Sequence, residues 1–228
     1  MRTRFHQSLD ELKEKLLRMG GMAEQAVDRA NEAYRRRDVA LCRRVLDAEH
    51  SINIMEREID ELALDLLAMQ QPMAVDLRFI VAVVKINADL ERVGDQAVNV
   101  VQRVLELAKL PEVDLSVDIP KVADTAAKMV RIALESFIYA RADVAETVLK
   151  LDDELDELNA QTYHAMLNLM QKSPELTPQA LNALLISRNL ERVGDHATNI
   201  AEDVIFWVRG ADVRHHFDAA PSTDAKAD

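Results

Sequence analysis

Residues 89–100 read DLERVGDQAVNV, and residues 189–200 read NLERVGDHATNI. Eight of the twelve positions are identical, more than two unrelated amphipathic helices share merely by being helical. The likeness extends upstream, where RRDVALCRRVLDAEHSIN (36–53) matches ARADVAETVLKLDDELD once a two-residue gap is allowed. A chain of 228 residues that writes one unit twice at a spacing of about one hundred is expected to fold as a tandem duplication.

The unit is helical. Only 5 Gly, 6 Pro and 4% aromatic residues are spread through the whole chain, an all-α composition. Helical periodicity predicts helices from about Phe5 to Arg36, from an Asp38 cap to Met69, and from Val75 to Leu107, then from Lys121 to Ala140, Asp143 to Gln171 and Pro178 to Arg209. The breaks are QQP (Gln70 to Pro72), RAD, KSPELTP and the two-proline segment LPEVDLSVDIP. This gives a first three-helix repeat over 1–109, a linker over 110–120 and a second repeat over 121–210. Residues 211–228, which include His215 and His216, lose the periodicity and are expected to form a disordered tail. Helices of about 30 residues joined by short turns pack as antiparallel bundles. Gly94 and Gly194 each cost a helix about 1 kcal/mol relative to alanine, which points to close helix approach at both.

Charge narrows the partners. A net charge of -12 repels nucleic acid and anionic membranes and favours cations and basic protein surfaces. A single cysteine, Cys42, supports no disulfide framework, and neither a signal-peptide core nor an apolar run of about 18 residues is evident. The expected location is the cytoplasm.

At about 100° per residue, Glu91, Asp95 and Asn99 form a stripe separate from Leu90, Val93, Ala97 and Val101. Glu191, Asp195 and Asn199 repeat it. A solvated stripe would follow an acid with Lys or Arg four residues on; here acid follows acid, which destabilises a helix by a few tenths of a kcal/mol per pair. The preceding helices carry Glu49 with Asn53, and Asp152 with Asp156. If the helices fold back about Pro72, Glu49 lies level with Asp95 and Asn53 with Glu91. A fold about the 173–174 bond sets Asp152 level with Asp195 and Asp156 with Glu191. Four oxygen-bearing side chains at one level, without cysteine or histidine, suit a hard cation. The competing reading is ordinary ion pairing by Arg92, Arg188 and Arg192. Three carboxylates and one amide against four carboxylates rank the second site as the tighter. His50 and His196 point away from the stripes and are expected on the surface, while Trp207 is expected to close the bundle end. A Gly-rich phosphate loop, a nucleophile triad and a Glu-x-x-His di-iron motif are all missing, so no catalysis is expected.

The doubled LERVGD…A.N motif, MGGMAEQAV, INIMEREIDE, QQPMAVDLRFI and the closing NIAEDVIFWVRGADVRHH resemble the PhoU family over residues 1 to about 217. The resemblance implies two three-helix bundles related by pseudo-twofold symmetry, and a homodimer or higher oligomer. It also implies multinuclear clusters of divalent or trivalent metal ions (Fe, Mn or Mg) on Glu/Asp-x-x-x-Asp pairs. Those pairs match Glu91 with Asp95, Asp152 with Asp156, and Glu191 with Asp195; Glu49 with Asn53 departs from the pattern. The implied role is repression of the phosphate-starvation response and of phosphate uptake. The chain would act as an adaptor between the transporter ATPase subunit PstB and the sensor kinase PhoR, peripheral to membrane complexes. A metal-buffering protein is the alternative, and a metal-assisted hydrolase a distant third.

Overall fold

The structure is a computed structural model and describes residues 2–70 and 72–210. Six α-helices account for nearly all of it: α1 (Arg2–Arg36), α2 (Val39–Gln70), α3 (Val75–Leu107), α4 (Ile119–Ile138), α5 (Ala142–Lys172) and α6 (Thr177–Arg209). No strand occurs among the described residues. The tail with His215 and His216, and Gln71 of the first hairpin turn, lie outside the described residues.

Each break has a local cause. Asp38 accepts hydrogen bonds from the amides of Ala40 (2.7 Å) and Leu41 (3.1 Å), capping α2. The residue before it, Arg37, is left-handed with φ 51°, and Ala140 holds the same φ at the matching turn before α5. α4 starts two residues earlier than periodicity suggests. Asp118 caps it by accepting from the Lys121 amide, and Pro120 sits in the first turn, where its missing N–H costs nothing. Within the second hairpin turn, Pro174–Leu176 forms a single 3₁₀ turn.

Packing joins the repeats. Helices α1–α3 form one bundle and α4–α6 the other, while α3 runs against α6 and α1 against α4. One continuous apolar core therefore spans both, from Leu12, Leu16, Ile59 and Leu90 through to Met129, Phe137, Val148 and Leu190. Each such fully buried Leu, Ile, Phe or Met contributes about 1.5–3 kcal/mol of burial. The segment at 110–120 divides the sequence but not the core, and its Leu115 packs onto Met166, Ala180 and Ala183 in a small satellite cluster. Trp207 closes one end as expected, with ring centroids 5.1 Å from Phe79 and 5.3 Å from Phe137.

Both glycines of the repeated motif mark close approaches. A Cβ on Gly94 would fall 2.9 Å from Ile52 Cδ1, and one on Gly194 only 2.2 Å from Leu155 Cδ2. Ile52 and Leu155 occupy matching positions of α2 and α5, so the same contact is built twice. These contacts also fix the register that brings the acidic stripes together.

Candidate functional site

The two acidic clusters sit beside these glycine contacts, one between α2 and α3, the other between α5 and α6. Below the first, buried Asn87 donates to the Glu56 carbonyl and to Asp60 Oδ1, both at 2.9 Å. At the matching level of the second, Ser187 donates to Asn159 Oδ1 at 2.8 Å. Both hairpins therefore keep the register inferred from their turns to within about a residue or two, less than one helical turn.

In the first cluster Glu49, Asn53, Glu91, Asp95 and Asn99 are all half-buried. Burial raises the Glu91 carboxyl above its ordinary 4.5, and the neighbouring charges of Asp95, Glu56 and Glu49 raise it further, against a lowering by Arg92. Glu56 is raised in turn by burial, Asp60 and Asp95. In the second cluster burial raises Asp152, with Asp156 and Asp195 adding to it and Thr198 opposing. Glu191 is raised by burial, with Arg188 opposing and Asp195 and Asp156 adding. Asp195 is raised by burial, with His196 opposing and Asp156 adding. Glu56 and Glu91 in the first cluster, and Asp152, Glu191 and Asp195 in the second, thus hold their protons more tightly because of partly dry surroundings and neighbouring negative charge.

These residues meet the chemical requirement for a hard cation. Asn53 Oδ1, Asp152 Oδ1 and Glu191 Oε2 are buried acceptors without a hydrogen-bond partner, each a stabilisation cost that a cation would relieve. Glu191 Oε2 lies 3.2 Å from Arg188 Nη1 without hydrogen-bond alignment, while Oε1 accepts from the same nitrogen at 3.3 Å. The rival ion-pair reading therefore holds for Glu191. Arg92 instead pairs with Asp89, at 3.8 Å. The side chains are not gathered as ligands: among the described residues no three carboxylate, imidazole or thiolate groups converge to hold an ion as they stand. Asp156 and Asp195 are exposed, while Asp152 and Glu191 are half-buried.

Two residues face elsewhere. Asn199 Nδ2 donates to Asp89 Oδ1 at 3.2 Å, across the α3–α6 contact rather than into the second cluster. His196, expected on the surface, is largely buried, with Nδ1 2.9 Å from the same Asp89 oxygen. Helical angle alone told that His196 left the stripe; it could not tell that another helix waits on that side. Lys85 and Asp203 make a further bridge at 3.1 Å along this seam.

Glu56 is the residue that reading in steps of four missed. It lies seven after Glu49, about 20° from it around the helix, so it belongs to the same stripe. The second repeat has Asn159 at this place. The first repeat therefore carries Asn53 and Glu56 where the second carries Asp156 and Asn159. With Glu56 counted, each cluster has four carboxylates, and the charge count that ranked the second as tighter no longer separates them.

A PhoU domain family model matches the chain twice, over residues 16–104 and 119–204. A phosphate-specific transport system accessory protein PhoU homolog of Pseudomonas aeruginosa is 38% identical over 212 residues, spanning 92% of this chain and 88% of the relative. The phosphate-specific transport system accessory protein PhoU of Escherichia coli is 30% identical over 211 residues, with 92% and 88% covered. The crystal structure of PhoU from Pseudomonas aeruginosa superposes with a TM-score of 0.88 at 37% identity, covering 91% of this chain and all of that one. The phosphate transport system regulatory protein PhoU from Streptococcus pneumoniae gives 0.86 at 25% identity, with 92% and 100% covered.

Proposed function

Because the chain belongs to the PhoU family, we propose that it is a regulator of phosphate transport that represses the phosphate-starvation response and limits uptake when phosphate is plentiful. The observation that supports this reading best is the full-length likeness to accessory proteins of phosphate-specific transport, repeat for repeat. In this reading it is an adaptor without catalytic chemistry, linking the transporter ATPase subunit to the sensor kinase from the cytoplasmic side. In the same reading contact with membrane complexes is peripheral; no described helix is long and apolar enough to cross a membrane.

Metal belongs to the same proposal. Glu49, Asn53, Glu56, Glu91 and Asp95 would hold ions in the first cluster, with Asn99 at its edge. Asp152, Asp156, Glu191 and Asp195 would do so in the second. Divalent or trivalent Fe, Mn or Mg would supply positive charge that lets each acidic surface sit against a partner without repulsion. Deletion of the gene should leave phosphate-starvation genes switched on in rich phosphate. Pull-down of the chain from phosphate-replete cells should recover the transporter ATPase or the kinase, less so after chelation. Metal binding without either association, together with unchanged signalling in the deletion strain, would favour the buffering alternative.

A further inference from the structure

The first hairpin ends in an apolar tip that its fold does not need. Leu64, Met69, Met73, Val75 and Leu77 are 63%, 69%, 80%, 55% and 41% exposed, grouped at the α2–α3 turn. Ala74, between Met73 and Val75, is held at φ 48°, a strained setting for a residue with a side chain, and the helix resumes directly after it with Met73 projecting. The second hairpin is an internal control. Where the first tip has Met69, Met73, Val75 and Leu77, the second has Lys172, Ser173, Glu175 and Thr177, and the turn closes just as well. Exposed Met is a soft, adaptable contact residue, and grouped exposed apolar side chains mark interaction surfaces.

Charge along the tip's own segment, between Arg57 and Arg78, selects among occupants. Residues 58–77 contain five acids, Glu58, Asp60, Glu61, Asp65 and Asp76, and neither Lys nor Arg. Glu61 and Asp65 are exposed beside Leu64. Two such tips meeting head to head would bring like charges together, and an anionic bilayer would repel the tip. We propose that this tip docks into an apolar groove on another protein, one rimmed by Lys or Arg side chains. The Met and Leu side chains fill the groove, and Glu61 and Asp65 meet the basic rim and set the orientation. The inference rests on the reading of the chain as an adaptor and assigns it a docking element distinct from both acidic clusters.

The test uses the full chain and two synthetic amphipathic helical peptides, one of Leu and Lys and one of Leu and Glu, with binding followed by fluorescence anisotropy. The Leu/Lys peptide should bind and the Leu/Glu peptide should not. A Met69→Asp, Met73→Asp double variant should weaken binding at least about tenfold. Glu61→Lys with Asp65→Lys should do the same, and Glu175→Lys at the second tip should leave binding unchanged. All these positions are exposed, and unchanged helical circular dichroism would show that the variants fold. Equal binding by wild type and tip variants would overturn the proposal. So would a self-association seen by light scattering in the wild type and lost in the Met variants, which would make the occupant a second copy. Co-sedimentation of wild type but not the Met variants with phosphatidylcholine vesicles would make it a membrane, and would overturn the proposal too. Normal phosphate signalling in a deletion strain would remove the adaptor reading while leaving the peptide result intact, so the two failures are distinguishable.

Discussion

The two acidic clusters have the same number of carboxylates but not the same arrangement. In the first, the carboxylate of the preceding helix stands one turn further along, at Glu56, with the amide at Asn53; in the second the acid is Asp156 and the amide Asn159. The surroundings differ as well, since Thr198, whose hydroxyl donates to the Gly194 carbonyl at 3.1 Å and which opposes the upward shift of Asp152, stands where the first repeat has Val98. Duplicated repeats can thus conserve charge while moving it along a helix face. What must be held constant is the pair of glycine contacts that sets the register.

The largest effects should come from those contacts. Leu155→Ala removes a fully buried side chain and should cost about 2–4 kcal/mol in urea unfolding. Gly194→Ala must displace Leu155 Cδ2 at 2.2 Å with Met129 at 3.4 Å beside it, and should cost roughly 1–2 kcal/mol net of its gain in helix propensity. Gly94→Ala meets Ile52 at 2.9 Å and should cost about 1 kcal/mol or less. In the Leu155→Ala background Gly194→Ala should become neutral or stabilising, because the clash is gone. Equal costs at the two glycines would break the ordering.

Metal affinity comes next. Titration with manganese or iron(II) under reducing conditions should show two classes of site of similar strength. Asp195→Asn should weaken the second and Glu56→Gln the first, each by about tenfold for one lost carboxylate, while Asn53→Asp strengthens the first. If Glu56→Gln leaves binding unchanged, Glu56 is a neighbour and the second site should be the tighter, as the Asn53 count suggests.

Helix caps distinguish the repeats more mildly. Asp38→Ala should cost about 1 kcal/mol, whereas Arg141, which makes no side-chain cap, should give back about 0.5–1 kcal/mol when changed to Asp. Its exposed pairing with Asp143 is worth little against that.

The smallest effect is on pH. Glu56, Glu91, Asp152, Glu191 and Asp195 hold their protons more tightly in the folded chain. The native state therefore gains stability as pH falls from neutrality through their raised values toward the ordinary 3.8 of Asp and 4.5 of Glu. Below that range the opposite group takes over: Glu58, Glu106 and Asp143 are held low by hydrogen bonds from Lys15, Lys109 and Arg141, and lose their contribution on protonation. Urea melts of metal-free protein should show a shallow stability maximum on the acid side of neutrality. A Glu56→Gln, Glu91→Gln variant should flatten it, and manganese should move the maximum toward higher pH.

Much of this was legible in the sequence because long helices leave few choices. The six helices, the turns at Pro72 and at the 173–174 bond, and the close approach at both glycines follow from periodicity and repetition. What escaped was lateral. A stripe shows where acids lie on one helix but not which helix stands against the other faces, so His196 was placed in water and Asn199 in the metal set when both turn to Asp89. Glu56 escaped because seven residues, not four, returns the chain to nearly the same angle. Pro120 was read as linker because a first-turn proline looks the same in sequence as a breaking one.

The seam between α3 and α6 also bears on how such a chain can change. In a symmetric dimer of single repeats every contact occurs twice, so an acid placed at one side of the twofold is matched by an acid at the other. Here position 89 is Asp and its counterpart 189 is Asn, while His196 is matched by Gln96. Asp89 thus meets His196, Asn199 and Arg92 on one side only. In a chain that carries both repeats a single substitution alters one side of the seam alone, which gives the molecule a distinguishable left and right that a dimer of identical single repeats cannot have.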